Sequence, residues 1–288
     1  MSNRKLDFKL YAITSGEAHK DGRSMLQVME QAIRGGADIV QLRNKSGDTE
    51  QILQQAKELR ALTRAYDIPF IINDDPYIAK LAEADGVHLG QEDMPIEEAR
   101  SLLGASAIIG ISTHTLQQAI AAEQAGADYI GVGPVFETPT KPGRPAVTVR
   151  LIGNAALTIR IPFVAIGGIT LDNASDVLAA GASRLCAVRA ITDSAEPELV
   201  CRRFRQLIER SSKQQETHRL PINIELNGKR METLASSVNE LLLQLEQQHK
   251  LKHLIVEFDG DILPRASWEE QMLKNDSRIE LIQFVGGG

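Results

Sequence analysis

From Lys9 to about Arg210, short β-branched runs alternate with longer segments of helical periodicity, and this alternation constrains the fold more than anything else in the 288-residue chain. The runs are Leu10–Thr14, Ile39–Arg43, Phe70–Asn73, Gly86–Gly90, Ile108–Ser112, Tyr129–Val135, Phe163–Gly167 and Arg184–Ala190. Between them, segments such as Thr49–Ala65, Ile96–Leu103, Leu116–Ala125 and Asn173–Ala180 repeat apolar residues at helical spacing. Glycine-containing returns, GGAD before Ile39, AGAD before Tyr129 and AGAS before Arg184, put a residue that tolerates the left-handed conformation where each helix must stop. Eight βα units predict an α/β fold, a closed (β/α)8 TIM barrel over residues 1–210, with an open doubly wound sheet as the alternative.

After Arg210 the pattern stops. Ser211–Arg219 (SSKQQETHR) is polar without an apolar face, so residues 211–220 read as a linker. Residues 221–288 then give strand Ile222–Leu226, an Asn227-Gly228 turn, a short second strand, helix Val238–Gln248, strand Leu254–Phe258 and strand Ile279–Val285. An Asn-Gly turn between extended runs is a hairpin signal, and the order suggests a small α+β domain of β-grasp (ubiquitin-like) type. A 43% hydrophobic content supports real cores, and 4% aromatics means that they are mainly aliphatic.

Charge narrows the partners. A formal net charge of -6 supplies no positive field for a nucleic-acid backbone or an anionic membrane, so neither is expected as a partner. The start, MSNRKLDFKLYAIT, lacks the apolar run of a signal peptide and no stretch reaches membrane-spanning length, which makes a cytoplasmic protein the expectation. Cys186 and Cys201 lack a CxxC spacing and read as unpaired thiols.

In a (β/α)8 barrel the chemistry gathers at the carboxyl ends of the strands. The second strand ends in Gln41, Arg43 and Lys45, two cations and an amide that share one side if the backbone stays extended; solvated surface charges are the alternative. The third ends in Asn73-Asp74-Asp75 and the fourth in Gly90-Gln91-Glu92-Asp93. Asp74 and Asp93 are candidates for sharing Mg2+, a cation usually held by one or two carboxylates with phosphate oxygens and water. Asp93 could instead cap the helix beginning near Ile96. After the sixth strand, Thr138, Thr140 and Lys141 lie in a Pro- and Gly-rich loop suited to a phosphate. The seventh supplies backbone N–H groups around Gly168, and the eighth ends at Val188-Arg189, where barrels often place a phosphate. His88, with no second histidine beside it, reads as a hydrogen-bonded structural residue.

Six blocks in order, QLRNK at 41–45, IINDD at 71–75, DGVHLGQED at 85–93, IGIS at 109–112, GPVFETPTKPG at 133–143 and AIGGI at 165–169, resemble thiamin phosphate synthase over residues 9–205. The resemblance implies that Gln41, Arg43, Lys45 and Asn73 hold a pyrimidine diphosphate, that Asp74 and Asp93 bind Mg2+, and that Ser112 and Lys141 contact the diphosphate. It implies a thiazole phosphate held by Thr138, Thr140, Gly168 and the backbone around Val188-Arg189; many family members have serine where this chain has Arg189. The implied reaction is a transfer that releases diphosphate, with Arg43, Lys45, Lys141 and Ser112 as its catalytic set. A thiazole tautomerase-like barrel and a catalytically inactive scaffold are the alternatives, the first disfavoured by Asp93 and the intact Thr138–Lys141 motif.

In the tail, INIELNGK at 222–229, SSVNELLLQL at 236–245, DGDILPRASW at 259–268 and the terminal glycines resemble the thiamin-pathway sulfur carrier. That resemblance implies a thiocarboxylate at Gly287-Gly288, with an adenylating enzyme and a thiazole synthase as partners.

Overall fold

The computed structural model describes residues 6–14, 22–138, 146–218, 221–246, 254–268 and 271–283. Two compact units divide between Ser212 and Lys213. In the first, β1 (Leu10–Ile13), β2 (Ile39–Leu42), β3 (Phe70–Asn73), β4 (Gly86–Leu89), β5 (Ile108–Thr113), β6 (Tyr129–Val132), β7 (Phe163–Ile166) and β8 (Leu185–Ala187) form a closed barrel in chain order. The ring is shut where Leu10–Ala12 of β1 pair in parallel with Leu185–Ala187 of β8, which excludes the open sheet.

Around it lie α1 (Met25–Arg34), α2 (Thr49–Ala65), α3 (Pro76–Leu81), α4 (Ile96–Leu103), α5 (Leu116–Gln124), α6 (Thr148–Thr158), α7 (Ala174–Ala179), α8 (Arg189–Thr192) and α9 (Pro197–His218). Side chains of Ser24, Asp48, Asp75 and Thr115 accept backbone N–H groups at the starts of α1, α2, α3 and α5, satisfying donors that a helix start leaves open. The expected glycine stops are present: Gly36, Gly126 and Gly181 have φ of 105°, 87° and 105°.

Three boundaries in the barrel unit differ from the sequence reading by more than one residue. The sixth strand ends at Val132 and the eighth at Ala187, because α8 begins at Arg189. The stretch read as a linker is largely helical, since α9 continues to His218. Ser211–His218 contains no Gly or Pro, and its polar residues are compatible with a helix; apolar periodicity alone misses such an extension.

Alternation along each strand divides the barrel into two cores. Leu10, Val40, Phe70, Val87, Ile109, Ile130 and Leu185 pack outward among helix residues that include Met29, Leu59 and Phe204. The alternate positions Tyr11, Ile13, Ile39, Ile71, Tyr129, Val164 and Cys186 join Phe8 inside the ring. Phe8 meets Tyr11 and Tyr129 edge-on at centroid distances of 5.8 Å, a favoured aromatic geometry. Gly110 makes room for this packing: a Cβ there would lie 2.1 Å from Tyr129 Cζ.

The second unit contains β9 (Ile222–Leu226), β10 (Lys229–Thr233), α10 (Val238–Glu246), β11 (Leu254–Phe258), β12 (Asp261–Leu263) and β13 (Arg278–Gln283), with sheet order β10-β9-β13-β11-β12. A parallel β9–β13 pair is flanked by antiparallel neighbours. Ile224, Val238, Leu241, Val256 and Ile279 form its core, giving the expected α+β, β-grasp-like architecture. Asn227 and Gly228 have φ of 48° and 71°, as the hairpin signal required. Strand β12 was not expected; it returns through Asp259-Gly260, a second pair at positive φ. Residues 247–248 of the expected helix and 284–285 of the expected last strand lie outside the described residues.

Gly110→Ala should lower the unfolding free energy by about 1–3 kcal/mol, the usual cost of overpacking a filled interior, read as a fall in the urea midpoint. An unchanged midpoint would contradict the tight seating of Tyr129.

Candidate active site

The interior positions nearest the carboxyl ends of β2 to β5 are Gln41, Asn73, His88 and Ser112, polar side chains above an apolar floor. Beyond β2, Thr14 extends the pairing with β1: its hydroxyl accepts the Arg43 N–H at 2.9 Å and donates to the Arg43 carbonyl at 3.2 Å. Asn44 then pins the turn, its Oδ1 accepting N–H groups from Ser46 at 3.0 Å and Gly47 at 2.9 Å. Lys45 thereby reaches Asp74, Nζ to Oδ2 3.1 Å.

The adjacent Asp74 and Asp75 are put to different uses. Asp75 caps α3, accepting N–H groups of Tyr77 at 2.8 Å and Ile78 at 3.0 Å. Asp74 adopts φ of 64°, a conformation uncommon outside glycine, with its N–H bonded to the His88 carbonyl at 2.8 Å. Asp93 does not cap α4, which begins after Pro95 without a side-chain cap. Its Oδ2 instead accepts the Gly90 N–H at 2.6 Å. Burial pushes the Asp93 carboxyl above its ordinary range; the Gly90 N–H opposes this, while the neighbouring Asp74 carboxylate, in hydrogen-bonding contact, adds to it. Lys45, Asp74 and Asp93 therefore form one charged cluster at the rim.

Beside it, Ser112, Thr138, Gly168, Val188 and Arg189 line one cavity of about 310 Å³, together with His114, Glu137 and Cys186. The β6–β7 pairing runs past the strand ends through Val135 N–H to Ile166 O at 2.9 Å and Phe136 N–H to Gly167 O at 3.1 Å. Gly168 has φ of 66°, and a Cβ there would lie 2.8 Å from Phe136 Cβ, so the close approach needs glycine. Asn173 braces this loop, donating to the Gly168 carbonyl and accepting the Thr170 N–H, each at 2.9 Å. His114 Nδ1 hydrogen-bonds the Gly133 carbonyl. Gln91 Nε2 donates to the Ser112 carbonyl. Thr14, Gln91, His114 and Asn173 support the site without having been singled out as site residues in the sequence: the first three act on backbone of another strand end, and Asn173 on the loop that precedes its own helix. Thr140 and Lys141 lie outside the described residues, as do Gly287 and Gly288.

Residues 10–191 match the thiamine monophosphate synthase family, and residues 222–288 match the ThiS family. The chain belongs to the thiamine monophosphate synthase family. It is 50% identical over 204 residues to the thiamine-phosphate synthase of Halalkalibacterium halodurans, covering 70% of this chain and 96% of the relative. With that of Shouchella clausii it shares 48% over 185 residues, 64% of this chain and 88% of the relative. The solved thiamine phosphate pyrophosphorylase from Pyrococcus furiosus superposes with a TM-score of 0.65 at 35% identity, over 71% of this chain and 96% of that one. The barrel is accordingly that of an enzyme, a transferase of thiamine biosynthesis, and the second unit is a ThiS family domain. Among the described residues no helix is long and apolar enough to cross a membrane.

The shift at Asp93 has a consequence for stability. A carboxyl that holds its proton more tightly folded than unfolded lets the native state bind more protons, so stability falls as pH rises from the unfolded pKa through the folded one. Asp93→Asn, which keeps an oxygen for the Gly90 N–H, should raise the denaturation midpoint at neutral pH in metal-free buffer. The gain should shrink as the solution is acidified through the carboxylate range. Destabilisation at neutral pH would show that the carboxylate is held by favourable partners instead.

Proposed function

We propose that the barrel joins 4-amino-5-hydroxymethyl-2-methylpyrimidine diphosphate to thiazole phosphate, giving thiamin phosphate and diphosphate. The observation that carries this reading is the pair of touching carboxylates, Asp74 and Asp93, beside Lys45 at the rim of a glycine-lined cavity. Two like charges in contact fit a site for a hard cation. Among the described residues no third His, Cys, Asp or Glu joins them, which suits Mg2+, whose remaining positions are usually filled by water and substrate phosphate. When bound, Mg2+ would neutralise charge on the leaving diphosphate.

The chain's own groups supply the rest. Arg43, Lys45, Lys141 and Ser112 would hold the diphosphate, with Gln41 and Asn73 orienting the pyrimidine. Thr138, Thr140, Gly168 and the backbone at Val188-Arg189 would hold the thiazole phosphate, with the Arg189 side chain adding charge at the cavity edge. The C–O bond to diphosphate breaks with its electron pair leaving on oxygen, and the thiazole nitrogen lone pair forms the new C–N bond. No protein nucleophile is needed, so catalysis rests on orientation and on stabilising the leaving group.

For the second unit the reading is a sulfur carrier whose terminal glycine is adenylated by a partner enzyme and converted to a thiocarboxylate for a thiazole synthase. The ThiS family match supports it. The synthase positions all precede residue 210 and the carrier residues follow 221, so two active units in one chain are consistent. A cytoplasmic setting suits the two buried thiols, Cys186 and Cys201, which a reducing compartment preserves.

Purified protein incubated with both substrates and Mg2+ should make thiamin phosphate, and Asp74→Ala or Asp93→Ala should each remove most of that activity while leaving the fold intact. Full activity in a metal-chelated preparation would sink the metal assignment. Lys141→Ala should lower kcat by about a hundredfold, the scale of one lost charge-stabilising contact, with little change in Tm; unchanged kinetics with a lower Tm would make the lysine structural. Deleting Gly286–Gly288 should abolish thiocarboxylate formation yet spare the synthase. Intact-protein mass spectrometry after reaction with an adenylating enzyme and a sulfur donor checks this, and no oxygen-to-sulfur change in the full chain, beside a carrier that does react, would overturn the carrier role.

A further inference from the structure

A continuous hydrogen-bonded chain crosses the barrel interior on five strands. Gln41 Nε2 on β2 donates to Tyr11 Oη on β1 at 2.9 Å, and Tyr11 Oη lies 2.9 Å from Tyr129 Oη on β6. Tyr129 Oη lies 3.0 Å from His88 Nδ1 on β4, and His88 Nε2 lies 2.9 Å from Ser112 Oγ on β5. The two tyrosines are fully buried, and burial pushes both phenols up, so they remain O–H donors.

The direction of this chain follows from its first link. With the Gln41 amide nitrogen assigned towards Tyr11, and an amide nitrogen able only to donate, Tyr11 accepts there and its own hydrogen goes to Tyr129. Tyr129, having accepted, gives its hydrogen to His88 Nδ1. A neutral imidazole that accepts at Nδ1 carries its proton on Nε2, and that N–H points to Ser112 Oγ. The reverse order would leave the Tyr11 hydrogen facing a nitrogen that cannot accept it, a costly arrangement in a buried site. In the direction set by Gln41 the single Ser112 hydrogen is not spent within the chain.

We propose that the interior chain Gln41–Tyr11–Tyr129–His88–Ser112 fixes the histidine tautomer and so makes Ser112 a hydrogen-bond donor towards the substrate's anionic oxygens. A serine whose hydrogen was committed to His88 would turn lone pairs to a diphosphate and repel it. Tyr11, Tyr129 and His88 are thus positioning residues, acting through Ser112. The inference rests on the reading that Ser112 contacts the diphosphate. The Ser112 carbonyl, held by Gln91 Nε2 at 2.7 Å, fixes the backbone from which the hydroxyl projects.

Tyr129→Phe keeps the ring and removes the donor to His88. It should lower kcat about tenfold, on the scale of one lost hydrogen bond, with KM for the thiazole phosphate little changed. Combined with Ser112→Ala it should cost no more than Ser112→Ala alone, as expected for residues acting through one group. His88→Gln, which retains an amide donor, should recover more activity than His88→Leu. Additive losses, or a normal kcat in Tyr129→Phe beside a damaged Ser112→Ala, would overturn the proposal while sparing the Ser112 assignment. A fully active Ser112→Ala would remove the serine from the site and the proposal with it. Should the variants fold poorly, nitrogen NMR of His88 in the wild-type full chain decides: the proton belongs on Nε2, and a proton on Nδ1 refutes the stated direction.

Discussion

Closure of the ring between β1 and β8 governs both the cores and the chemistry. Once Leu10–Ala12 pair with Leu185–Ala187, each strand residue faces either the helices or a confined interior, and every strand delivers its carboxyl end to the same rim. Residues as far apart in sequence as Lys45, Asp74 and Asp93, or Ser112, Gly168 and Arg189, then become neighbours. An open sheet would separate the first group from the last. The interior is filled from one end by Phe8, Tyr11 and Tyr129, leaving its polar layer near the rim.

That rim concentrates arrangements that folding alone would not favour. Asp74 sits at positive φ, and its carboxylate touches that of Asp93, whose proton affinity burial has already raised. Asp75, one residue away, makes two conventional capping bonds. The contrast separates a side chain serving α3 from one held beside Lys45 and Asp93 at the rim. Gly168 shows the same priority: no larger residue fits against Phe136, and the loop is braced by Asn173.

Much of this was legible because it depends on local pattern. Eight apolar runs, the glycine returns and six ordered motifs identify the barrel, and strand-end position brings Asp74 and Asp93, with Asp75 and Glu92 beside them, to the rim. What was not legible depends on contacts between distant segments or on weak local signals. The helical passage of α9 through Ser211–His218 has polar helix formers but no apolar periodicity in its sequence to announce it. Strand β12 is only three residues long and is marked mainly by its Asp-Gly turn. The sequence places the Gln41 amide beside the cations of the second strand end; that its Nε2 donates to Tyr11 inside the barrel depends on the pairing of β1 with β2. His88 was read as a hydrogen-bonded structural histidine, and it does hydrogen-bond; its link to Ser112 required the register of adjacent strands.

That register offers a signal a sequence reader could use. Tyr129 pairs across the strands with Gly110, and Ser112 with Gly131. A Cβ at Gly110 would strike the Tyr129 ring, while one at Gly131 would come within 3.4 Å of the His88 ring. The Tyr129 ring thus occupies space left by Gly110 on the adjacent strand β5, and the His88 ring packs over Gly131, two strands away on β6. Glycine in a strand weakens it, so Gly110 in a barrel wall calls for a compensating occupant, and here the occupant is Tyr129, which carries the hydrogen bonds from Tyr11 to His88. The same space therefore serves packing and polarity: the rings fill it, and their heteroatoms set the direction in which the serine can donate.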